Sequence, residues 1–572
     1  MIATSPRLRS TAGSAGVVLA ITAAAVIGSQ RWAGLDTPDS SFYATLALYG
    51  DEVTDRAPFP SYFWTRLGVI APMRLLTTIL GPWAGFAAYR AILILVIVAC
   101  CWLVLKRYTG RTTAAVATIS VVASSVILSY VGNTYLTGTV LAGTAALIAC
   151  ALTQRSWAAL LSGALLAWLV MANPPGALLA GTIWLAISLW SARVRTLAIA
   201  TSLRNLAVAA LAFVVTFAAF LGIGRSIFPR MDWFGAYLDA QQITLSNFAS
   251  TSPVWLTDVS LLVPAAVLIV TIKAAWTFRR TASAEAASLG LLISATSIGF
   301  MLVFNPLMGG IALEAPMYQA MLWPPALIAL ALSATGWLPT GRWNRRQLAT
   351  AAVGVAGIIV CGFLAPGLSW LAGLVLVLVL VAILVVALQV QGSRVIPALA
   401  AGLALLAGCQ LAQNSRGDLG LYYLSPYAWA YQANPVSAKV HEAVNAQDWL
   451  LAHTSRRDQI LVWVDGPWTA GDRELYVAAG MQLWGENRIT LEPTLSDAYG
   501  RDRLTQVRPS VIAMYGKTMD AVNAFWASLP PINQPTAPQC YDFPWPADPT
   551  TDFPTTAGHA CLTRLSWPAS GA

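Results

Sequence analysis

Apolar positions in this chain fall mainly in long unbroken runs, without the alternation of a half-buried strand or the narrow stripe of a surface helix. About 13 runs approach the roughly 20 residues that an α-helix needs to cross a bilayer. They lie near 14–30, 85–105, 112–131, 138–153, 157–173, 176–192, 205–223, 257–275, 285–304, 318–336, 347–364, 368–390 and 395–411. The runs at 138–153 and 157–173 are short, so a single re-entrant pair is the alternative reading there. Beyond residue 411 the pattern changes. Residues 436–454 place Val440, Val444, Trp449 and Leu450 on one helical face, while 459–464 and 510–515 are apolar runs of strand length. Helical patterns near 473–484 and 517–528 alternate with them, which predicts a small, partly parallel sheet. The expected fold is a polytopic α-helical membrane region over 1–411, followed by an α/β domain over 412–572.

Composition supports the membrane assignment. Of the 572 residues, 57% are apolar and only 10% are Asp, Glu, Lys or Arg, against roughly 25% charged in soluble globular proteins. A chain of this size could not cover a water-facing surface with so little charge. A net charge of +9 is also found in nucleic-acid-binding proteins, but its distribution here says otherwise. Residues 1–411 hold 23 of the 34 basic side chains and 10 of the 25 acids. Basic residues collect in alternate loops, as the cytoplasmic loops of membrane proteins do: Arg7 and Arg9; Lys106, Arg107 and Arg111; Arg155; Arg193, Arg195 and Arg204; Lys273, Arg279 and Arg280; Arg342, Arg345 and Arg346; Arg394. The N-terminus is therefore expected in the cytoplasm of a plasma (inner) membrane. With an odd number of spans, the C-terminal domain lies outside. The first run follows Arg-Leu-Arg without a small-x-small cleavage site, so it is read as a retained helix.

Acids mark the other face. Only Glu285 falls in a predicted cytoplasmic loop; Asp36, Asp39, Asp51, Glu52 and Asp55 share the first outer loop, Asp232, Asp239 and Asp258 another, and Glu314 precedes the tenth span. Chemistry is accordingly expected on the outer face. Other motifs fail on spacing. Gly516-Lys-Thr518 has Val511 where a phosphate-binding loop needs its first Gly, and His441-Glu442 lacks the second His of a zinc-protease helix. The three histidines, His441, His453 and His559, carry no metal-ligand spacing and are read as structural or surface residues. Cys100, Cys101, Cys150, Cys361 and Cys409 lie in spans, where thiols behave as small apolar groups. Cys540 and Cys561 flank a Pro-rich segment in the outer domain, and a disulfide between them is expected.

The first outer loop is the most informative stretch. It runs Gly34-Leu-Asp-Thr-Pro-Asp-Ser-Ser-Phe-Tyr43, then through Gly50, Tyr62 and Thr65-Arg-Leu-Gly-Val-Ile-Ala-Pro72 to Leu80-Gly-Pro82. Asp39 or Ser40 would cap a short helix that lays Phe42, Tyr43, Leu46 and Tyr49 on the membrane surface. This loop resembles that of GT-C glycosyltransferases, in particular the bacterial protein O-mannosyltransferase-like and aminoarabinose-transferase-like group. Those proteins place an Asp after the first helix, a Tyr three or four residues on, and an interfacial helix pair ending in a Gly-containing turn. Asp39 with Tyr43 is the match, and Asp36 is the neighbouring candidate. Glu314-Ala-Pro-Met-Tyr318 followed by Leu322-Trp-Pro-Pro325 is similar to the outer loop before a late helix in that group. Two departures bear on a metal: Asp39 is followed by Ser40 instead of Glu, and the loop Tyr130-Val-Gly-Asn-Thr-Tyr-Leu-Thr-Gly138 has no acid, only Asn133. A divalent cation is left open.

The resemblance implies transfer of a sugar from a polyprenyl-phosphate donor to an extracytoplasmic glycan, lipid or protein, with inversion. A carboxylate would orient and deprotonate the acceptor, and cations would meet the leaving phosphate. Asp39 and Asp36 are the candidate bases. Tyr43, Arg56, Arg66, Arg225, Arg230, Glu314 and Tyr318 are the candidate substrate contacts, with membrane lipid as the alternative partner of the arginines. For Asp39 the alternative is a simple helix cap. Competing functions are a lipid or glycolipid transporter, for which no internal repeat is visible, and an envelope polysaccharide polymerase or ligase.

Overall fold

A computed structural model describes residues 6–28, 61–131, 136–238, 259–307 and 318–336 with few gaps, and shorter stretches near 43–50, 449–464, 490–492, 504–529, 535–545 and 556–567. Eleven helices are described up to residue 334: α1 (Pro6–Gly28), α2 (Leu67–Leu80), α3 (Pro82–Tyr108), α4 (Arg111–Val122), α5 (Leu136–Thr153), α6 (Ser156–Ala172), α7 (Pro174–Val194), α8 (Ile199–Ile227), α9 (Val259–Phe278), α10 (Ala284–Leu307) and α11 (Trp323–Ala334). Among the described residues, five are long and apolar enough to cross a membrane: 84–108 in α3, then α5, α7, α8 and α10. The expected spans at 347–364, 368–390 and 395–411, and the helix at 473–484, lie outside the described residues.

Burial shows which helices face lipid. α5 is almost entirely enclosed, whereas α8 buries only Ala209, Gly224 and Ile227 along its 29 residues. Leu203, Leu211, Val214 and Val215 point outward from α8, each 60% exposed or more. So large an apolar surface belongs against lipid tails, since water-soluble proteins rarely leave such patches open. With no hydrophobic gain from meeting each other in lipid, helices associate through close packing at small residues. Gly163 of α6 does this, since a Cβ there would strike the Ala209 carbonyl of α8. Residues 136–153 and 156–172 form two separate helices, α5 and α6, packed side by side. α6 stops at Asn173 because Pro174 cannot continue the ladder. The buried Asn173 then caps α7, its Oδ1 accepting the Gly176 amide at 3.1 Å.

The described C-terminal stretches build a mixed five-stranded sheet from β1 (Ile460–Val464), β2 (Thr490–Glu492), β3 (Val511–Gly516), β4 (Gln539–Trp545) and β5 (Thr556–Arg564), in the order β2-β1-β3-β5-β4. β1 runs parallel to both β2 and β3; β5 is antiparallel to β3 and to the edge strand β4. Every residue from Val511 to Tyr515 is buried, as a central strand covered on both faces requires. Helix α12 (Met519–Ala527) covers one face through Val522 and Phe525, with Phe525 stacked on Trp463 at 4.2 Å. Thr518 accepts the Ala521 amide at 3.1 Å, so the hydroxyl of the Gly-Lys-Thr sequence is a helix cap. Cys540 and Cys561 face each other in register on β4 and β5 and are joined by a disulfide. His559 Nδ1 lies 2.7 Å from Asp542 Oδ1 across the same pair of strands, and His453 stacks on Trp449 at 4.4 Å.

Candidate active site

The entry to α2 gathers the chemistry-bearing residues that the structure describes. A 3-10 turn at Ser61–Thr65 precedes the helix, and Phe63, Thr65 and Leu67 are buried. Trp64 stacks on Phe228, at the end of α8, with ring centroids 6.2 Å apart. Gly224, one turn earlier in α8, touches both Leu67 and Trp233, leaving no room for a Cβ. Arg66 sits between Trp64 and Leu67 as the residue from which α2 starts. Its Nε, the Trp64 Nε1 and the Trp233 Nε1 are all buried N–H donors without a hydrogen-bond partner among the described residues. An orphaned buried donor costs about 1–3 kcal/mol. Three buried donors left without partners among the described residues are suited to an anion with several oxygens.

On its other side, α2 locks onto α6. A Cβ at Gly68 would collide with the Trp168 carbonyl and Ala172, and the close approach lets Trp168 Nε1 donate to the Gly68 carbonyl at 2.6 Å. Farther along α2, Arg74 Nη1 donates to the Ala47 carbonyl at 3.1 Å. Ala47 follows Leu46, whose carbonyl accepts the Gly50 amide at 3.0 Å. This charge-assisted bond ties the first-loop segment to α2. Gly50, at φ +57°, reverses the chain beside the Arg74 guanidinium; Gly81, at φ +82°, makes the turn from α2 into α3.

The expectation that Tyr43 and Leu46 lie on the membrane surface is corrected. They are 1% and 0% exposed, and Tyr43 packs edge-to-face on Phe63 with centroids 5.4 Å apart. An apolar helix face is satisfied equally by lipid or protein, and here α2 and its preceding turn supply the partner. Tyr43 thus comes to the same short segment that carries Trp64 and Arg66. Arg225, one turn before Phe228, is exposed in the last turn of α8. Tyr318 belongs to a different group, packed with Phe300, Met301, Phe304 and Leu322. Asp36, Asp39, Arg56, Asn133, Arg230 and Glu314 lie outside the described residues, as do Phe42 and Tyr49. Among the described residues, no three His, Cys, Asp or Glu side chains are grouped to hold a metal ion.

Sequence reasoning missed Trp64, Trp168, Trp233 and Arg74. The signal was present for one pair, because Trp64 and Arg66 flank a single residue at the start of an apolar run. Trp168 and Trp233 arrive from distant segments and are indistinguishable in sequence from interfacial tryptophans. Tyr89 and Thr139, which share a buried 2.6 Å hydrogen bond between α3 and α5, were likewise invisible as a pair.

No protein-family model and no curated protein matches the sequence. Comparison with solved structures is informative. ArnT from Cupriavidus metallidurans bound to undecaprenyl phosphate superposes with a TM-score of 0.52 at 12% identity, over 96% of this chain and 97% of that one. ArnT from the same organism in the apo state gives 0.42 at 12% identity, over 97% and 98%. The apo oligosaccharyltransferase of Archaeoglobus fulgidus gives 0.34 at 9% identity, over 87% of this chain and 69% of that chain. The ligand-bound ArnT correspondence extends nearly end to end in both molecules, so the chain shares the fold of that protein.

Proposed function

We propose that this chain is an integral-membrane glycosyltransferase that moves a sugar from a polyprenyl-phosphate donor to an acceptor outside the cytoplasm: an envelope glycan, a lipid or a protein. The observation that carries this reading is the near full-length correspondence with ArnT bound to undecaprenyl phosphate. The buried N–H groups of Trp64, Arg66 and Trp233, without partners among the described residues, support it, because a lipid phosphate offers oxygens for them. The membrane region spans 1–411 in this reading, with the N-terminus cytoplasmic and the α/β domain at 412–572 outside.

The transfer is a single displacement. The acceptor oxygen or nitrogen attacks the anomeric carbon on the face opposite the phosphate, and the bond from that carbon to the phosphate oxygen breaks. The anomeric configuration inverts. A first-loop carboxylate, Asp39 or its neighbour Asp36, takes the acceptor proton. Polyprenyl phosphate leaves with the electron pair, and its added charge is met by Arg66 and Arg225, with Arg56 and Arg230 from the adjoining loops. Tyr43, buried against Phe63, fixes the loop that carries the base; Glu314 and Tyr318 are the remaining candidate substrate contacts. Arg66, half-buried at the start of α2, stabilises that charge more than a cation at an open surface would. Purified full-length protein, incubated with polyprenyl-phosphate sugars and an envelope extract, tests the reading. Release of polyprenyl phosphate coupled to glycosylation of a component of the extract is expected, and its absence for every donor offered overturns the proposal.

A further inference from the structure

At the end of the bundle away from the candidate site, α7 and α8 separate. Both pack on α6, and the close contact of Gly163 with Ala209 fixes where α8 crosses it. On the N-terminal side of that crossing, residues 199–206 of α8 leave a cleft of about 430 Å³ in front of α7. That is within the roughly 300–1,000 Å³ of ordinary ligand sites. Trp184, Leu185 and Leu189 form one wall, Leu203 and Leu206 the other, and Ala159 lies in the floor. Leu185, Leu189, Leu203 and Leu206 are all exposed, so the cleft opens sideways into the hydrocarbon layer. Its polar end is as distinct as its apolar walls. Arg155, at the start of α6, and Arg193, in the last turn of α7, both line it, and neither has an ion-pair partner among the described residues. Asn205 lines it too, and its Oδ1 is buried without a hydrogen-bond partner there.

Charge around the cleft has one sign. Lys106 and Arg107 end α3 beside it, with Arg107 Nη1 donating to the Leu152 carbonyl at 2.8 Å. Among the described residues, no acid lines the cleft. Glu285, the one acid expected on this face, accepts a hydrogen bond from the Tyr108 hydroxyl at 3.1 Å.

We infer that this cleft is a binding site for one anionic glycerophospholipid of the leaflet facing the arginine-rich end of the bundle. An acyl chain occupies the apolar cleft, the phosphate sits between Arg155 and Arg193, and Asn205 Oδ1 accepts a hydrogen bond from a headgroup hydroxyl. The site is independent of the transfer reading, because it uses no residue of the candidate active site and lies at the opposite end of the helices.

Full-length protein is purified in mild detergent, offered dioleoylphosphatidylglycerol, dioleoylphosphatidylcholine or undecaprenyl phosphate, and examined by native mass spectrometry for retained lipid. Wild type should retain phosphatidylglycerol in preference to phosphatidylcholine. Arg155→Gln with Arg193→Gln should weaken that retention by up to roughly thirtyfold, as loss of two headgroup cations implies. Ser188→Trp, which fills the cleft and leaves both arginines, should also expel the lipid. Arg279→Gln with Arg280→Gln removes equal charge elsewhere, where Arg279 stacks on Trp276 at 4.3 Å, and should retain it. Equal retention of both phospholipids by wild type, or unchanged retention by the Arg155/Arg193 variant, overturns the proposal. So does equal loss in the Arg279/Arg280 control, which would make the effect diffuse surface charge. If undecaprenyl phosphate is the species lost on the Arg155/Arg193 substitutions, the occupant is the carrier lipid and the inference fails.

Discussion

Replacing Arg74 with Met removes the guanidinium that α2 extends to the Ala47 carbonyl while keeping a long apolar side chain on the helix. The bond is 3.1 Å long, charge-assisted and partly buried. Hydrogen bonds to charged groups contribute about 1.5–3 kcal/mol. The first-loop segment keeps its contact between Tyr43 and Phe63, so it loosens at one end and does not detach. If the base rides on this segment, its correctly docked population falls by up to about ten- to 150-fold at about 1.36 kcal/mol per factor of ten. Sugar transfer should fall by a comparable factor at saturating donor. Thermal unfolding in detergent should move little, because α2 remains held to α6 by the Trp168 bond to Gly68. Arg74→Lys keeps one cationic donor and should recover part of the loss. Transfer by Arg74→Met within twofold of wild type would refute the reasoning. Loss of activity matched by loss of folded protein would refute it too, because Arg74 would then be structural alone.

Three further outcomes are expected. Peptide mapping without reduction should recover Cys540 and Cys561 as one cross-linked species, and Cys540→Ser with Cys561→Ser should cost about 3 kcal/mol for a loop closed over 21 positions. Burial by itself would raise the Asp458 carboxyl, but hydrogen bonds from the Ser455 backbone and from Arg564 outweigh it and hold the group below its ordinary value. The unfolded chain then binds the proton more tightly, so this contribution is complete above about pH 4. It is lost as pH falls through the folded value, and Asp458→Asn should remove that part of the acid dependence of denaturant unfolding. A periplasmic-type reporter fused after Ala572 should be active and a cytoplasmic one silent; the reverse would place the α/β region on the wrong face.

Much of the helical architecture was legible because a bilayer imposes one demand on every span. α3, α7, α9 and α10 are found close to where unbroken apolar runs place them. α2 was folded into an interfacial loop, since its 14 residues, internal Pro72 and charged Arg74 weaken the signature of a span. In the C-terminal region β1 and β3 were visible as continuous apolar runs. β2, β4 and β5 were not, because three residues are too few to show a period, and β4 carries Asp542 and Pro544 as only an edge strand tolerates. In the candidate site, the single-segment features Tyr43 and Arg66 could be read in order along the chain. Trp233 could not, because it reaches Gly224 and Leu67 only once α8 has packed against α2.

A carboxylate in the first outer loop acting as the base is the central claim, and the transfer assay on Asp39→Asn and Asp36→Asn tests it most directly. Asn keeps the size and most of the capping ability of Asp, and complete loss of a cap costs only about 1 kcal/mol of stability. Loss of a general base costs about 10²–10⁴-fold in rate. One of the two variants, made at wild-type level and with wild-type unfolding temperature, should lose transfer by that factor. Full transfer in both would contradict the account.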